Sequence, residues 1–174
     1  LARFEIDEKE TSVFIDARSS LHPIHSESHS LRGFFEGALT AAGDLDPAVE
    51  TRAVLELPID ALSSGNPVYD REMRRRVDAR RHPQIDAVLT GIESAGSDGL
   101  YKAEGDVTFR GVTRRVSDEL RLSSPAPGTI VFEGEHVFNL PEFGMDPPRI
   151  LILRVYPDVR VRVRIVARET SPKT

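Results

Sequence analysis

The chain has 174 residues, 39% of them apolar and 29% charged, and a formal net charge of −5. A chain of this size buries roughly 70% of its unfolded surface in one domain, and its composition excludes intrinsic disorder and general electrostatic binding to nucleic acid. The absence of cysteine excludes disulfides, thiolate nucleophiles, Cys-ligated zinc and iron–sulfur clusters.

In chain order, a period of two dominates. "SVFIDARS" alternates Val13, Ile15 and Ala17 with Phe14, Asp16 and Arg18, the pattern of a strand with one buried and one wet face. "RGFFEGAL" follows, then "RAVLELPIDAL", with Ala53, Leu55, Leu57 and Ile59 in phase. Residues 69–81, "YDREMRRRVDARR", break the pattern: Met73 and Val77 are spaced i, i+4, Asp70 is available as an N-cap and Pro83 stops the run, which predicts one short helix. Beyond it, "QIDAVLTGIES", "LYKAEGDVTFRG", "RRVSDELRL", "TIVFEGEHVF", "RILILRVY" and "DVRVRVRIVAR" read as strands, separated by turn signals such as "SAGSDG", "SPAPG" and "YPD". Many strands at short spacing predict an all-β antiparallel sandwich or barrel. A single domain over residues 1–170 is expected, with a frayed tail at 171–174.

Gly105 and Gly111 flank "DVTFR" and lead into another strand, not into the helix that a phosphate-binding loop requires. With Gly33, Gly37 and Gly91 they read as bending points of a closing sheet. The apolar runs, such as residues 150–153, fall far short of the ~20 residues of a membrane-spanning helix. The chain starts at Leu1 with no basic-then-apolar leader before it; the expected location is cytoplasmic if the chain is complete, and periplasmic or extracellular if a leader was removed.

Three groups of residues could carry chemistry. His22, His25 and His29 are spaced H-x2-H-x3-H, a donor set suited to zinc, nickel or copper if the backbone brings the rings together; Pro23 and the surrounding serines instead favour a solvated loop. Ser19, Ser20 and Ser26 lie near His22, His25 and Asp16 in sequence, but there is no nucleophile elbow, and no catalytic residue is assigned. Arginine supplies nearly all the positive charge, clustered at Arg74, Arg75, Arg76, Arg80 and Arg81 and again at Arg160, Arg162 and Arg164. These clusters fit an anionic membrane surface or diphosphate head group less well than a wet outer face paired with Asp and Glu.

"HPQIDAVLTGIE", "YKAEGDVTFRGVTRRVSDEL" and "FNLPEFGMDPPRILILRVYPDVRVRVRIVA", with the opening "FEIDEKETSVFIDARSS", resemble the YceI-like family of lipid-binding, lipocalin-like barrels. "GDVTFRGVT" after "RRHPQI" is the most specific part, and the likeness spans nearly the whole chain. The resemblance implies an antiparallel eight-stranded barrel with a helix at one end and an apolar interior for a polyisoprenoid or other long-chain amphiphile, without cofactor. The candidate inward positions are Val13, Ile15, Phe35, Leu55, Leu57, Leu89, Tyr101, Val107, Phe109, Phe132, Val161 and Val163; alternation alone reads them as packed core, whereas the resemblance assigns some of them to a ligand. A metal protein built on the three histidines and an interaction module with a filled barrel are the alternatives. Peripheral contact with an anionic membrane and a homodimer are both compatible with the sequence, and the histidine-rich stretch at 19–33 is its least family-like part.

Overall fold

The computed structural model describes residues 1–147, 149–150 and 152–171. The strands are β1 (Ala2–Ile6), β2 (Ser12–Ser19), β3 (Pro23–Ser28), β4 (Arg32–Gly37), β5 (Arg52–Pro58), β6 (Gln84–Ser94), β7 (Leu100–Phe109), β8 (Val112–Ala126), β9 (Thr129–Asn139), β10 (Arg149–Ile150) and β11 (Leu153–Glu169), with one helix, α1 (Pro67–Arg76). Strands β1, β4, β5, β6, β7, β8, β9 and β11 neighbour one another in that order, and β1 pairs back onto β11 to close an eight-stranded antiparallel barrel.

β1 and β2 share one edge of β11: Phe4 and Ile6 face Glu169 and Ala167, while Ser12 to Ala17 face Arg164 to Val159. Between them residues 7–11 leave the ladder, and the fully buried Thr11 repairs it by accepting from the Val166 N–H and donating to the Val166 carbonyl. The Val166 carbonyl also accepts from the Asp7 N–H at 2.8 Å, so it is the buried Val166 N–H that would lose its partner without that hydroxyl. β3 and β4 follow the same break on the next strand, β3 pairing β2 and β4 pairing β1. Each of these pairs serves as one bent barrel strand.

Of the expected bending points, Gly91 and Gly105 sit at such an irregularity, whereas Gly33 lies in an unshifted ladder with Leu55. β6 shifts register against β7 between Leu89 and Gly91; Gly105 faces this bulge, where a Cβ would come within 2.9 Å of the Val88 carbonyl oxygen. Arg110 and Gly111, at φ +53° and +74°, form the two-residue turn from β7 to β8, with the doubly positive φ that a tight hairpin of the right twist demands. Gly105 and Gly111 therefore belong to the wall and to a hairpin respectively.

Both ends are covered. At one end the connection from β4 to β5 folds inward, burying Leu45, whose N–H donates to the Tyr101 hydroxyl at 2.9 Å. At the other, Ile59, Val77, Leu140, Met145 and Val159 form a separate apolar cluster with Met73 of α1, Ile85 and Phe109.

Three expectations are corrected in detail. The helix spans Pro67–Arg76, not 69–81: Asn66 caps it through Oδ1 to the Val68 and Tyr69 amides and Pro67 takes the first helical position, whereas Asp70 accepts from the Ser64 amide and hydroxyl. Beyond Arg76 the chain turns, with Asp78 at φ 55°. "YPD" is not a turn between two strands; β11 runs through it, and Pro157, which cannot donate to a ladder, lies within the register shift between Val155 and Val159. The histidine-rich stretch contains β3 where a loop was expected. Leu151 in the "RILILRVY" run, and residues 172–174 of the tail expected to fray, lie outside the described residues.

Candidate functional site: a carbon-lined cavity with a split wall

The inner face of the barrel is set by alternation. Odd positions of β5, β7 and β11 and even positions of β9 point inward, and they line a partly open cavity of ≈ 250 Å³. Of the twelve expected inward positions, Phe35, Leu55, Leu89, Val107, Phe132, Val161 and Val163 line it. Val13, Leu57 and Tyr101 are buried in the packed core around it, Ile15 packs between the two apolar clusters, and Phe109 belongs to the cluster that closes the helix end. The cavity lining also includes Ile6, Ala53, Ala87, Ile92, Ala103, Leu120, Ile165 and Ala167, small or aliphatic side chains from β1, β5, β6, β7, β8 and β11. A second hollow of ≈ 610 Å³ lies near residues 41–44, 98–99 and 122–127, but it is an open surface cleft with Leu122 as its one large apolar side chain, and it offers water no reason to leave.

The wall is not continuous. The ladder between β8 and β9 covers Leu120 to Ala126 with Gly134 to Thr129, yet β8 begins at Val112 and β9 runs to Asn139. Residues 112–119 and 135–139 are paired on their far sides, to β7 and β11, and no pairing joins them to each other among the described residues. The last closed rung is Leu120 opposite Gly134, where a Cβ on the glycine would fall 2.4 Å from Leu120 Cδ2; the leucine occupies the space that Gly134 vacates. Below that rung the gap is spanned by side chains: His136 Nδ1 lies 2.8 Å from Asp118 Oδ2, and both residues line the cavity. Phe138 meets His136 edge-on at 4.7 Å and Phe143 at 6.0 Å, and Phe143 meets Phe109 at 5.9 Å, so aromatic rings floor the gap toward the helix end.

Sequence reasoning did not single out Asp118 and His136 as a site. The signal was a polar residue in the inward phase of each strand: Asp118 between Val116 and Leu120, His136 between Gly134 and Phe138.

The other candidate groups do not assemble. His22 lies within 3.3 Å of the Tyr69 hydroxyl, His25 pairs with Asp16 at 2.6 Å, and His29 Nδ1 donates to the Thr11 carbonyl at 3.0 Å. In extended chain, residues four apart are about 13 Å apart, so His25 and His29 cannot converge as they would on a helix; no group of three or more ligating side chains occurs among the described residues. Ser19 donates to the His22 carbonyl and not to an imidazole. Arg74 lies 3.5 Å from Asp60, Arg81 3.9 Å from Asp78 and Arg162 3.3 Å from Asp16, placing both arginine clusters partly in ion pairs on the outer surface. The Asp16 carboxyl is held below its ordinary value by the hydrogen bond from His25, with burial opposing and the Arg162 charge assisting.

The sequence matches the YceI-like domain over residues 4–167, and a search of curated proteins finds no match. Among solved structures the fold is similar to that of Burkholderia cenocepacia BcnA, with a TM-score of 0.77 at 16% identity, covering 92% of this chain and 98% of that one. It is equally similar, at 12% identity and over 98% and 100% of the two chains, to a polyisoprenoid binding domain from Saccharophagus degradans implicated in plant cell wall breakdown, also with a TM-score of 0.77. The Campylobacter jejuni YCEI protein aligns at 16% identity with a TM-score of 0.61 over 79% of this chain and 82% of that one. With the family match running from the first strand of the barrel into the last, the chain belongs to the YceI-like family.

Proposed function

We propose that the protein is a non-enzymatic carrier whose barrel holds the hydrocarbon tail of a polyisoprenoid or fatty amphiphile for transport, storage or sequestration. The observation that carries this reading is the cavity itself, an unfilled interior lined almost wholly by aliphatic and phenyl side chains. A filled-barrel interaction module would leave no such space, and close packing is the default of protein interiors. The Saccharophagus degradans neighbour, described as a polyisoprenoid binding domain, supports the same ligand class. The volume of ≈ 250 Å³ lies just below the ~300–1,000 Å³ of small-molecule pockets, so the enclosed part of a ligand is a short length of chain. Ten methylenes at ~0.8 kcal/mol each contribute about 8 kcal/mol, from which the cost of association is subtracted, so the driving force comes from burial of the chain and needs no catalytic group.

Native mass spectrometry of the purified protein, followed by organic extraction, tests the reading. A stoichiometric prenyl or fatty adduct is the expected result. A bare polypeptide mass that stays unchanged after incubation with prenyl alcohols and fatty acids overturns it in favour of the filled barrel, and a retained metal would redirect attention to His22, His25 and His29.

A further inference from the structure

At the gap between β8 and β9 the carbon-lined interior meets the hydrogen-bonding side chains of Asp118 and His136, away from the covered ends. Resting on the carrier reading above, we propose that this gap is the seat of the ligand's polar head, with His136 Nε2 accepting a hydrogen bond from an uncharged donor such as a hydroxyl or amide while the tail lies in the cavity.

The chemistry follows from the side-chain pair. An ionised carboxylate only accepts, so the 2.8 Å contact between Asp118 and His136 Nδ1 places a proton on Nδ1. In the neutral ring Nε2 is then an acceptor, its tautomer set by the bond at the other nitrogen. Among the described residues Nε2 has no hydrogen-bond partner, and the ring contributes to the cavity wall. A donor head completes that arrangement. An anionic head would meet the Asp118 carboxylate, and an ether or hydrocarbon end would gain nothing from the ring. The location suits a head group for a second reason: the backbone ladder is interrupted here, so a polar end reaches water or the outer surface without breaking a strand pair. The floor of Phe138, Phe143 and Phe109 leaves the tail to run away from the helix end, toward Leu89 and Phe132.

Competition against the fluorescent probe N-phenyl-1-naphthylamine, on protein freed of co-purified lipid, tests this with three ligands sharing one tail: farnesol, farnesyl methyl ether and farnesoate. The alcohol is expected to bind about threefold to tenfold tighter than the ether, the worth of one net hydrogen bond, with farnesoate weakest. In His136→Leu the alcohol falls to the level of the ether, whose own affinity holds. In Asp118→Asn the amide can donate to Nδ1 and move the ring proton to Nε2, so the preference for the alcohol is lost. Equal binding of alcohol and ether by the wild type overturns the head-group seat and leaves the carrier reading standing. An alcohol preference that survives both substitutions overturns it as well, as does a His136→Leu loss shared equally by both ligands, which would mark the ring as wall only. Failure of every ligand and of the probe itself to bind overturns the carrier reading and this inference together.

Discussion

Tyr101 shows how much one polar atom decides in this fold. Its ring is buried in the barrel core and its hydroxyl accepts from the Leu45 N–H at 2.9 Å, tethering the β4–β5 connection over the barrel end. Tyr101→Phe keeps the ring and orphans a buried donor, a change worth about 1–3 kcal/mol. The expected result is a lower urea midpoint with faster hydrogen exchange at the Leu45 amide; an unchanged exchange rate would show that the tether does not hold the cover down. Thr11 is the complementary case, a buried hydroxyl serving both backbone groups of Val166. Neither role is visible in the sequence, where Tyr101 reads as one more inward residue and Thr11 carries no assignment, because each depends on a partner 56 or 155 residues away. Asp118 and His136 were hidden for a related reason. Each breaks the apolar phase of its own strand, and the breaks matter only because the two strands stand side by side.

Among the elements, those that make their own pattern were legible and those that borrow it were not. β6 was read with its observed bounds, residues 84–94, since Pro83 before it and the "SAGSDG" turn signal after it bracket the run. β3, "PIHSES", has little apolar alternation and exists because β2 offers it a ladder from Val13 to Arg18. The helix was legible in kind but not in register. Asn66 and Pro67 form a cap and first position that fit the favoured chemistry at both sites, yet the Met73 and Val77 spacing drew the start two residues too late. Asn66→Ala removes the side-chain acceptor for two amides and is expected to cost about 0.5–2 kcal/mol. Limited proteolysis reads it locally: cleavage should rise between residues 59 and 83 while the β7–β8 hairpin stays resistant. Uniform sensitivity would mean that the helix cap governs the whole barrel.

At the scale of the whole molecule, the outer surface carries a stability that depends on acid. The carboxyls of Asp7, Asp16 and Asp106 are all held below their ordinary value of 3.8, chiefly by hydrogen bonds from Arg168, His25 and Arg115 respectively. A carboxyl whose pKa is depressed by folding contributes stability that is complete above its unfolded pKa and is lost as pH falls through the folded one. The urea midpoint should therefore be flat from neutrality down to about pH 5 and decline below about pH 4. These pairs sit at the surface, where solvent screens them, so the decline is gradual, and Asp16→Asn should shallow it. A midpoint that rises on acidification would contradict the sign. The overall architecture itself was legible in two steps, the antiparallel all-β class from many strands with turn signals between them and the eight-stranded barrel from the resemblance that "GDVTFRGVT" carries. The split in its wall was not, because a missing ladder leaves no mark on either strand alone.

The closure of the barrel on its final strand has a consequence for how the protein is made. β11 carries the partners of β9, β2 and β1, so the sheet cannot close during synthesis until β11 has left the ribosome. Until then β1 and β2 have only β4 and β3 beside them, β9 presents an unpaired edge, and the inner face that later becomes the cavity lies open to water. An open apolar sheet with free edges is a substrate for chaperones and a hazard for aggregation. Pairing the earliest strands with the last also makes closure a high-contact-order step, which sets a slow folding rate. On the carrier reading, a lipid captured at that stage would be enclosed by the completion of the chain itself, without passage through a finished wall.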